Sequence, residues 1–406
     1  MPDAVKWVAN PLYRRRPDPG PAAFLGPAAV AAARRFHASL PEYCPTPLRS
    51  LARLADRLGV SGVYVKDEAP RFGLNAFKVL GGSYAIARHL GGALGLPADS
   101  LSREQLVAAL AGRPPVTFAT ATDGNHGRGV AWTARRLGCR AVVYLPGGAA
   151  ARRVEAIRAE GAQAIVTDLN YDDAVRLATA DARRHGWVVV QDTAWEGYQD
   201  IPAWIMQGYG TMAAEAVEQL AALGVDRPSH VFVQAGVGSL AGAIQGYFAS
   251  LWGDGRPVTA VVEADRADCL YRSALAGDGQ PRTVGGDLAT IMAGLACGEP
   301  NSLAWAILRG HSEIFAACPD WVAADGMRIL GAPLGDDPRI IAGESGAVTA
   351  GLLAAVLLDP DLAALRSALS LGRGSRILLF STEGDTDPEN YRRAVWAGAY
   401  PSGRNR

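Results

Sequence analysis

Only three of the chain's 406 residues are lysines, Lys6, Lys66 and Lys78, and every other basic side chain apart from histidine is arginine. An amine condenses with a carbonyl compound to give an imine, whereas a guanidinium, charged at any working pH, does not. Imine chemistry in this chain is therefore confined to three positions. Lys78 has the most suggestive surroundings, since in LNAFKVLGGSYAIARHL it is flanked by Phe77, Val79 and Leu80 and a helical pattern starts directly after it. Apolar neighbours desolvate an ammonium, lower its pKa and leave a nucleophilic amine. A lysine whose stem merely covers apolar surface would have the same neighbours, so this segment alone leaves both roles open.

Two further segments carry chemistry. In HVFVQAGVGSLAGAIQGYF a strand pattern ends in Gly236, Val237, Gly238, Ser239 and Leu240 before a helix. Such a turn lets backbone amides approach an anion, and the helix N-terminus adds favourable partial charge, so it suits a phosphate. The same stretch fits the dinucleotide pattern GxGxxA through Gly236, Gly238 and Ala241, with Glu263 near the place of a ribose-binding acid. An NAD-binding dehydrogenase or nucleotide sensor is thus an alternative on this segment. In TFATATDGNHGRGVAWTARRLG a strand ends at Thr120, and Thr122, Asp123, Gly124, Asn125 and His126 crowd the loop before the next helix. Open α/β sheets bind ligands at such strand ends, although Asp and Asn also serve as turn and cap residues.

The elements that must position these residues are read from periodicity. Apolar runs at 63–66, 116–120, 141–145 and 187–192 alternate with helical stretches, and a second series follows at 230–235, 258–264 and 376–381. That alternation predicts parallel sheets with crossover helices in an α/β fold of two lobes. Residues 1–45, rich in Pro and Ala, are expected to pack as an irregular arm, with regular structure beginning near Leu48.

Composition narrows the function. Forty basic and forty acidic side chains cancel, so no net field draws the protein to nucleic acid or an anionic membrane. The Ala347–Leu358 run falls short of the roughly 18 apolar residues of a spanning helix, and the Pro-rich start lacks a signal-peptide core. A cytoplasmic protein acting on a small molecule is expected. Cys44, Cys139, Cys269, Cys297 and Cys318 lack CxxC spacing, and the histidines at 37, 89, 126, 185, 230 and 311 are dispersed. No metal site is expected, and Cys269 with Cys297 is the one cysteine pair worth testing. No Walker A, HExxH or GxSxG sequence is found.

The segments KDEAPRFGLNAFKVLGGSYA, ATDGNHGRGVAW, QDTAWEGYQDIPAWIMQGYGT, AGVGSLAGA and STEGDTDPENY occur in order between about Pro11 and Tyr391. Together they resemble the diaminopropionate ammonia-lyases, fold-type II enzymes that use pyridoxal 5′-phosphate (PLP). Ala69 and Pro70 stand where that family often has a more polar pair. The resemblance implies two open twisted, mainly parallel sheets and a homodimer. It implies that Lys78 holds PLP as an imine with Phe77 beside the ring and Asn125 on the ring hydroxyl. Gly236, Val237, Gly238, Ser239 and Leu240 would cradle the phosphate, and Ser381 or Thr382 would face the pyridine nitrogen. It further implies elimination of ammonia from D- and L-2,3-diaminopropionate to give pyruvate. A serine or threonine dehydratase or a racemase shares the lysine, loop and turn. Asp192 and Glu344 are the acidic candidates for the substrate's ammonium groups, and Asp123 is expected to act as a base opposite Lys78. The expected division is 1–85 as arm and first part of a large PLP domain, 86–190 as a small α/β domain, and 191–406 as the remainder of the large one.

Overall fold

The computed structural model describes residues 4–122 and 124–402. Its strands, in chain order, are β1 (Lys6–Ala9), β2 (Leu48–Ser50), β3 (Gly62–Asp67), β4 (Thr117–Ala121), β5 (Arg140–Leu145), β6 (Gln163–Val166), β7 (Val188–Val189), β8 (His230–Gln234), β9 (Val258–Ala264), β10 (Ile314–Cys318) and β11 (Arg376–Ser381). Among the described residues they form a seven-stranded sheet, β1-β10-β9-β8-β11-β3-β2, and a four-stranded one, β6-β5-β4-β7. The small sheet is parallel throughout; the large one is parallel except at its edges, where β1 and β2 pair antiparallel. Helices cover both faces of a central parallel strand, so such strands read as unbroken apolar runs. HVFVQ in β8 and IFAAC in β10 are accordingly buried at every position.

The two expected sheets are present. The expected irregular arm is not: β1 adds a strand to the large sheet, with Lys6 opposite Ala317, and residues Pro27–Ala38 form a helix. That helix buries Val30, Ala33, Phe36 and His37 along one side and has proline in its first turn, where the missing N–H costs nothing. Alanine flanking these positions masks the period in the sequence. His37 ties the arm to the site, because its Nε2 lies 2.9 Å from the carbonyl oxygen of Leu80 and its Nδ1 2.9 Å from the Thr211 hydroxyl. Burial brings the imidazole down to about 3, so the ring is neutral and donates one N–H to that carbonyl. The run expected at 187–192 is regular only at Val188–Val189, after which the chain leaves the sheet.

Lys66, on β3, is fully buried and its ammonium lies 2.7 Å from Glu215. Arg71 completes the cluster, 2.7 Å from Glu215 and 2.8 Å from Glu68. Burial pushes the Lys66 pKa down and the two carboxylates push it back up. Removing one partner from such a cluster strands buried charge. Glu215→Ala is therefore expected to cost about 3–5 kcal/mol, measured by denaturant unfolding of the cofactor-free protein; a loss below about 1 kcal/mol would contradict the pairing.

Among the described residues no single helix is long and apolar enough to cross a membrane. The run at Ala347–Leu358 lies in the helix Glu344–Leu358, which is buried along nearly its whole length.

Candidate active site

The segments singled out in the sequence meet in one cavity beyond the carboxyl ends of parallel strands, where open α/β sheets place ligands. It is lined by Phe77 and Lys78, by Asn125 after β4, by Asp192 after β7, by the Gly236–Leu240 turn after β8 and by Thr382 after β11. Lys78 precedes the helix Val79–Ala93, and its Nζ donates to Asp192 Oδ2 at 2.9 Å. Burial alone would raise the Asp192 pKa, but the Lys78 charge and hydrogen bond outweigh it and hold the carboxyl at about 2. Tyr171 donates to the other Asp192 oxygen at 3.4 Å. Of the other lysines, Lys66 is buried in its ion cluster and Lys6 lies exposed on an edge strand.

The glycine turn and Asp192 are fastened together. Asn301 Nδ2 donates to the Asp192 carbonyl at 3.0 Å and to Ser239 Oγ at 2.8 Å, and the Ser239 hydroxyl donates to the same carbonyl. The backbone N–H of Asn301 donates to Val237 O at 2.7 Å. No protein acceptor takes the backbone N–H groups of Gly236, Val237 or Gly238 among the described residues. Three free amides before the helix Ser239–Trp252 make an anion cradle. Gly238 has φ of 98°, which favours glycine, and a Cβ on Gly236 would stand 3.2 Å from Leu295 Cα.

Thr382 lines the cavity, whereas Ser381 is buried outside its lining with its hydroxyl unpartnered among the described residues. Gln234 Nε2 donates to Thr382 Oγ1 at 2.8 Å, leaving the threonine proton to donate into the cavity. Phe77 packs on Tyr209 with ring centroids 4.7 Å apart. A lysine amine, a cradle of free amides, an aromatic wall and a directed hydroxyl together fit an aromatic aldehyde carrying a phosphate.

Two expectations change, those for Glu344 and Glu263. Glu344 is not in this cavity: it is buried at the start of the helix Glu344–Leu358, accepts from Asn390 Nδ2 at 2.5 Å and lines a neighbouring chamber of about 440 Å³. Burial and then repulsion from Glu383 push it up to about 7. Asp192 is in the cavity as expected, with its carboxylate accepting from Lys78 Nζ. Glu263 is fully buried and accepts from the backbone N–H groups of Leu270 and Tyr271 at 2.8 and 2.6 Å, so no ribose can reach it. The dinucleotide reading loses its acid. His126 sits with Nε2 2.8 Å from Val190 O, and among the described residues no disulfide forms, so Cys269 and Cys297 are not cross-linked. Asp123 lies outside the described residues. In its loop the Thr122 hydroxyl accepts from the backbone N–H groups of Gly124 and Gly127 at 2.9 and 3.1 Å, so Thr122 supplies the turn's side-chain cap.

Sequence reasoning missed Tyr171, Gln234, Asn301 and Glu383. Glu383 and Gln234 had a signal, their places inside the STEG and HVFVQ segments.

Residues 40–382 match the family model described as pyridoxal-phosphate dependent enzyme. The chain is 55% identical over 368 residues, 91% of each protein, to diaminopropionate ammonia-lyase of Escherichia coli strain K12. The crystal structure of the selenomethionine-labelled holo diaminopropionate ammonia-lyase from Escherichia coli superposes with a TM-score of 0.92 at 50% identity, covering 99% of each chain. The same enzyme in complex with D-serine gives 0.92 and 50%, covering 98% of this chain and 99% of that one. Sequence, fold and the lysine-and-glycine cavity agree, and the chain belongs to the diaminopropionate ammonia-lyases, within the pyridoxal-phosphate dependent enzymes.

Proposed function

We propose that the protein eliminates ammonia from D- and L-2,3-diaminopropionate, with water converting the product to pyruvate and a second ammonia. The observation that carries this reading is the Lys78 amine, paired with Asp192 beside three free amides in one cavity. The 55% identity to a named ammonia-lyase over 91% of the chain favours it over a serine or threonine dehydratase or a racemase.

PLP, when bound, supplies the electron sink that lets the substrate's Cα lose a proton. Lys78 holds it covalently and returns or removes a proton at its Nζ. Asp192 keeps that nitrogen in place. The amides of Gly236, Val237 and Gly238, with Ser239 and Leu240 at the helix start, bind the phosphate. Asn125 orients the ring through its hydroxyl, Phe77 covers the ring, and Thr382 donates toward the ring nitrogen.

Asp123 is assigned as the base for the D isomer and Lys78 for the L isomer, because a base must come within about 2.6–3.2 Å of its proton and one group does not serve two faces well. Asp123→Asn is expected to lose on the order of 100-fold or more in pyruvate formation from the D isomer, far less from the L isomer, and to keep its PLP absorbance. Equal losses on both isomers would remove the two-base assignment.

The division into residues 1–85, 86–190 and 191–406 is retained as a proposal; the four strands of the small sheet all lie within 86–190, while the helix Val79–Ala93 runs across the first boundary. A cytoplasmic homodimer is proposed on the family resemblance, together with the lack of disulfides among the described residues.

A further inference from the structure

We infer that Glu383 recognises the β-ammonium of the substrate and thereby separates diaminopropionate from serine; the inference rests on the activity proposed above. Glu383 follows β11 and lines the cavity that holds Lys78. It is 2% exposed. One carboxylate oxygen accepts from Asn125 Nδ2 at 2.6 Å and from the Thr386 hydroxyl at 3.2 Å, and the other from the backbone N–H of Ser345 at 3.3 Å. All three donors are neutral.

Among the described residues no lysine, arginine or histidine nitrogen comes within 4 Å of this carboxylate, in contrast to Asp192 with Lys78 and to Glu68 and Glu215 with Arg71. Buried carboxylates are ordinarily paired with a cation. At Glu383 the ligand supplies it. A second acceptor faces the same space: Gln234 lines the cavity, is 1% exposed, and its Oε1 has no partner among the described residues. A buried carboxylate without a cation and an unpartnered amide oxygen in one cavity call for a cationic ligand with N–H donors.

Placement agrees with the chemistry. The ring hydroxyl assigned to Asn125 is ortho to the carbon that carries the amino acid, and Glu383 is one hydrogen bond beyond Asn125. It also lines the same cavity as Lys78, whose amine would hold the carbon that carries the amino acid. A β-hydroxyl needs no counter-charge there, whereas a β-ammonium does. When the Cβ–N bond breaks, its electron pair leaves with nitrogen, so a β-nitrogen held as ammonium departs as ammonia without a further proton.

The test compares wild type, Glu383→Gln and Glu383→Asp as holoenzymes. kcat/KM is measured with D-2,3-diaminopropionate, and the Kd of D-serine is read from the cofactor absorbance. Glu383→Gln is expected to lose on the order of 30-fold in kcat/KM, to bind D-serine within about 3-fold of wild type, and to keep its cofactor band; Glu383→Asp, with its charge kept, should recover most of the loss. Equal losses on both ligands with a shifted cofactor band would mean that Glu383 only holds Asn125, and would overturn the assignment. So would unchanged turnover of diaminopropionate by Glu383→Gln. Wild-type enzyme that forms no pyruvate from diaminopropionate would overturn the activity itself, and the assignment with it.

Discussion

Lys78→Ala is expected to fold and bind PLP only reversibly, with turnover reduced by at least about four orders of magnitude, because covalent attachment and proton transfer both need that amine. The fold should persist, since residue 78 makes no side-chain cap to the helix it precedes. The change nevertheless removes the cation that holds Asp192 at about 2, and burial then drives that carboxyl upward. In wild type the folded carboxyl has a lower pKa than its ordinary 3.8. The pair therefore stabilises the fold above that value and is lost as pH falls through about 2. The variant should lack this acid-side dependence in its unfolding free energy. Borohydride reduction of wild-type holoenzyme followed by peptide mapping should place the pyridoxyl group on Lys78; finding it on Lys6 or Lys66 would sink the assignment.

Gly238→Val should release the cofactor on dialysis, its Kd for PLP raised on the order of 100-fold, because bulk in the turn keeps phosphate from the amides. A separate cost falls on the fold. Residue 238 has φ of 98°, and a Cβ there would meet Leu270 Cδ1 at 3.2 Å and Ala304 Cβ at 3.3 Å. A β-branched side chain in that conformation costs about 1–3 kcal/mol. Comparing the unfolding of both proteins without PLP isolates this term, and absorbance after dialysis reads the other. Full cofactor retention by the variant, or protection of wild type by NAD, would return the turn to the dinucleotide reading.

The central strands were legible because parallel strands covered on both faces are apolar without interruption, as in β8 and β9. β10 was missed although IFAAC is equally buried, since two of its five residues are alanines that suit a helix as well. β6 is only four residues long, and its edge position leaves little apolar signal. The arm helix was hidden by alanine at positions that carry no information about which side is buried. Lys78, Asn125 and the glycine turn could be found because each lies in a contiguous segment whose chemistry is local. Asp192 was found, but its pairing with Lys78 was not, because only the fold brings the two together from 114 positions apart. The place of Glu344 was hidden for the same reason: only the fold brings Asn390 and the neighbouring chamber to it. Glu383 lay in a quoted segment, yet an acid without a cation can be recognised only after all its neighbours are in place.

The seclusion of the lysines has a practical consequence. Lys66 has no exposed side-chain surface, Lys78 has 14%, and Lys6 stands open on the edge strand. Aldehydes, activated esters and isotopic amine tags will find a single freely accessible lysine on an arginine-coated exterior. Excess PLP should therefore partition to its own pocket with little adventitious loading. A reconstitution titration should break sharply at one equivalent per chain, and a dye or surface anchored on lysine will attach through the outer edge of the large sheet.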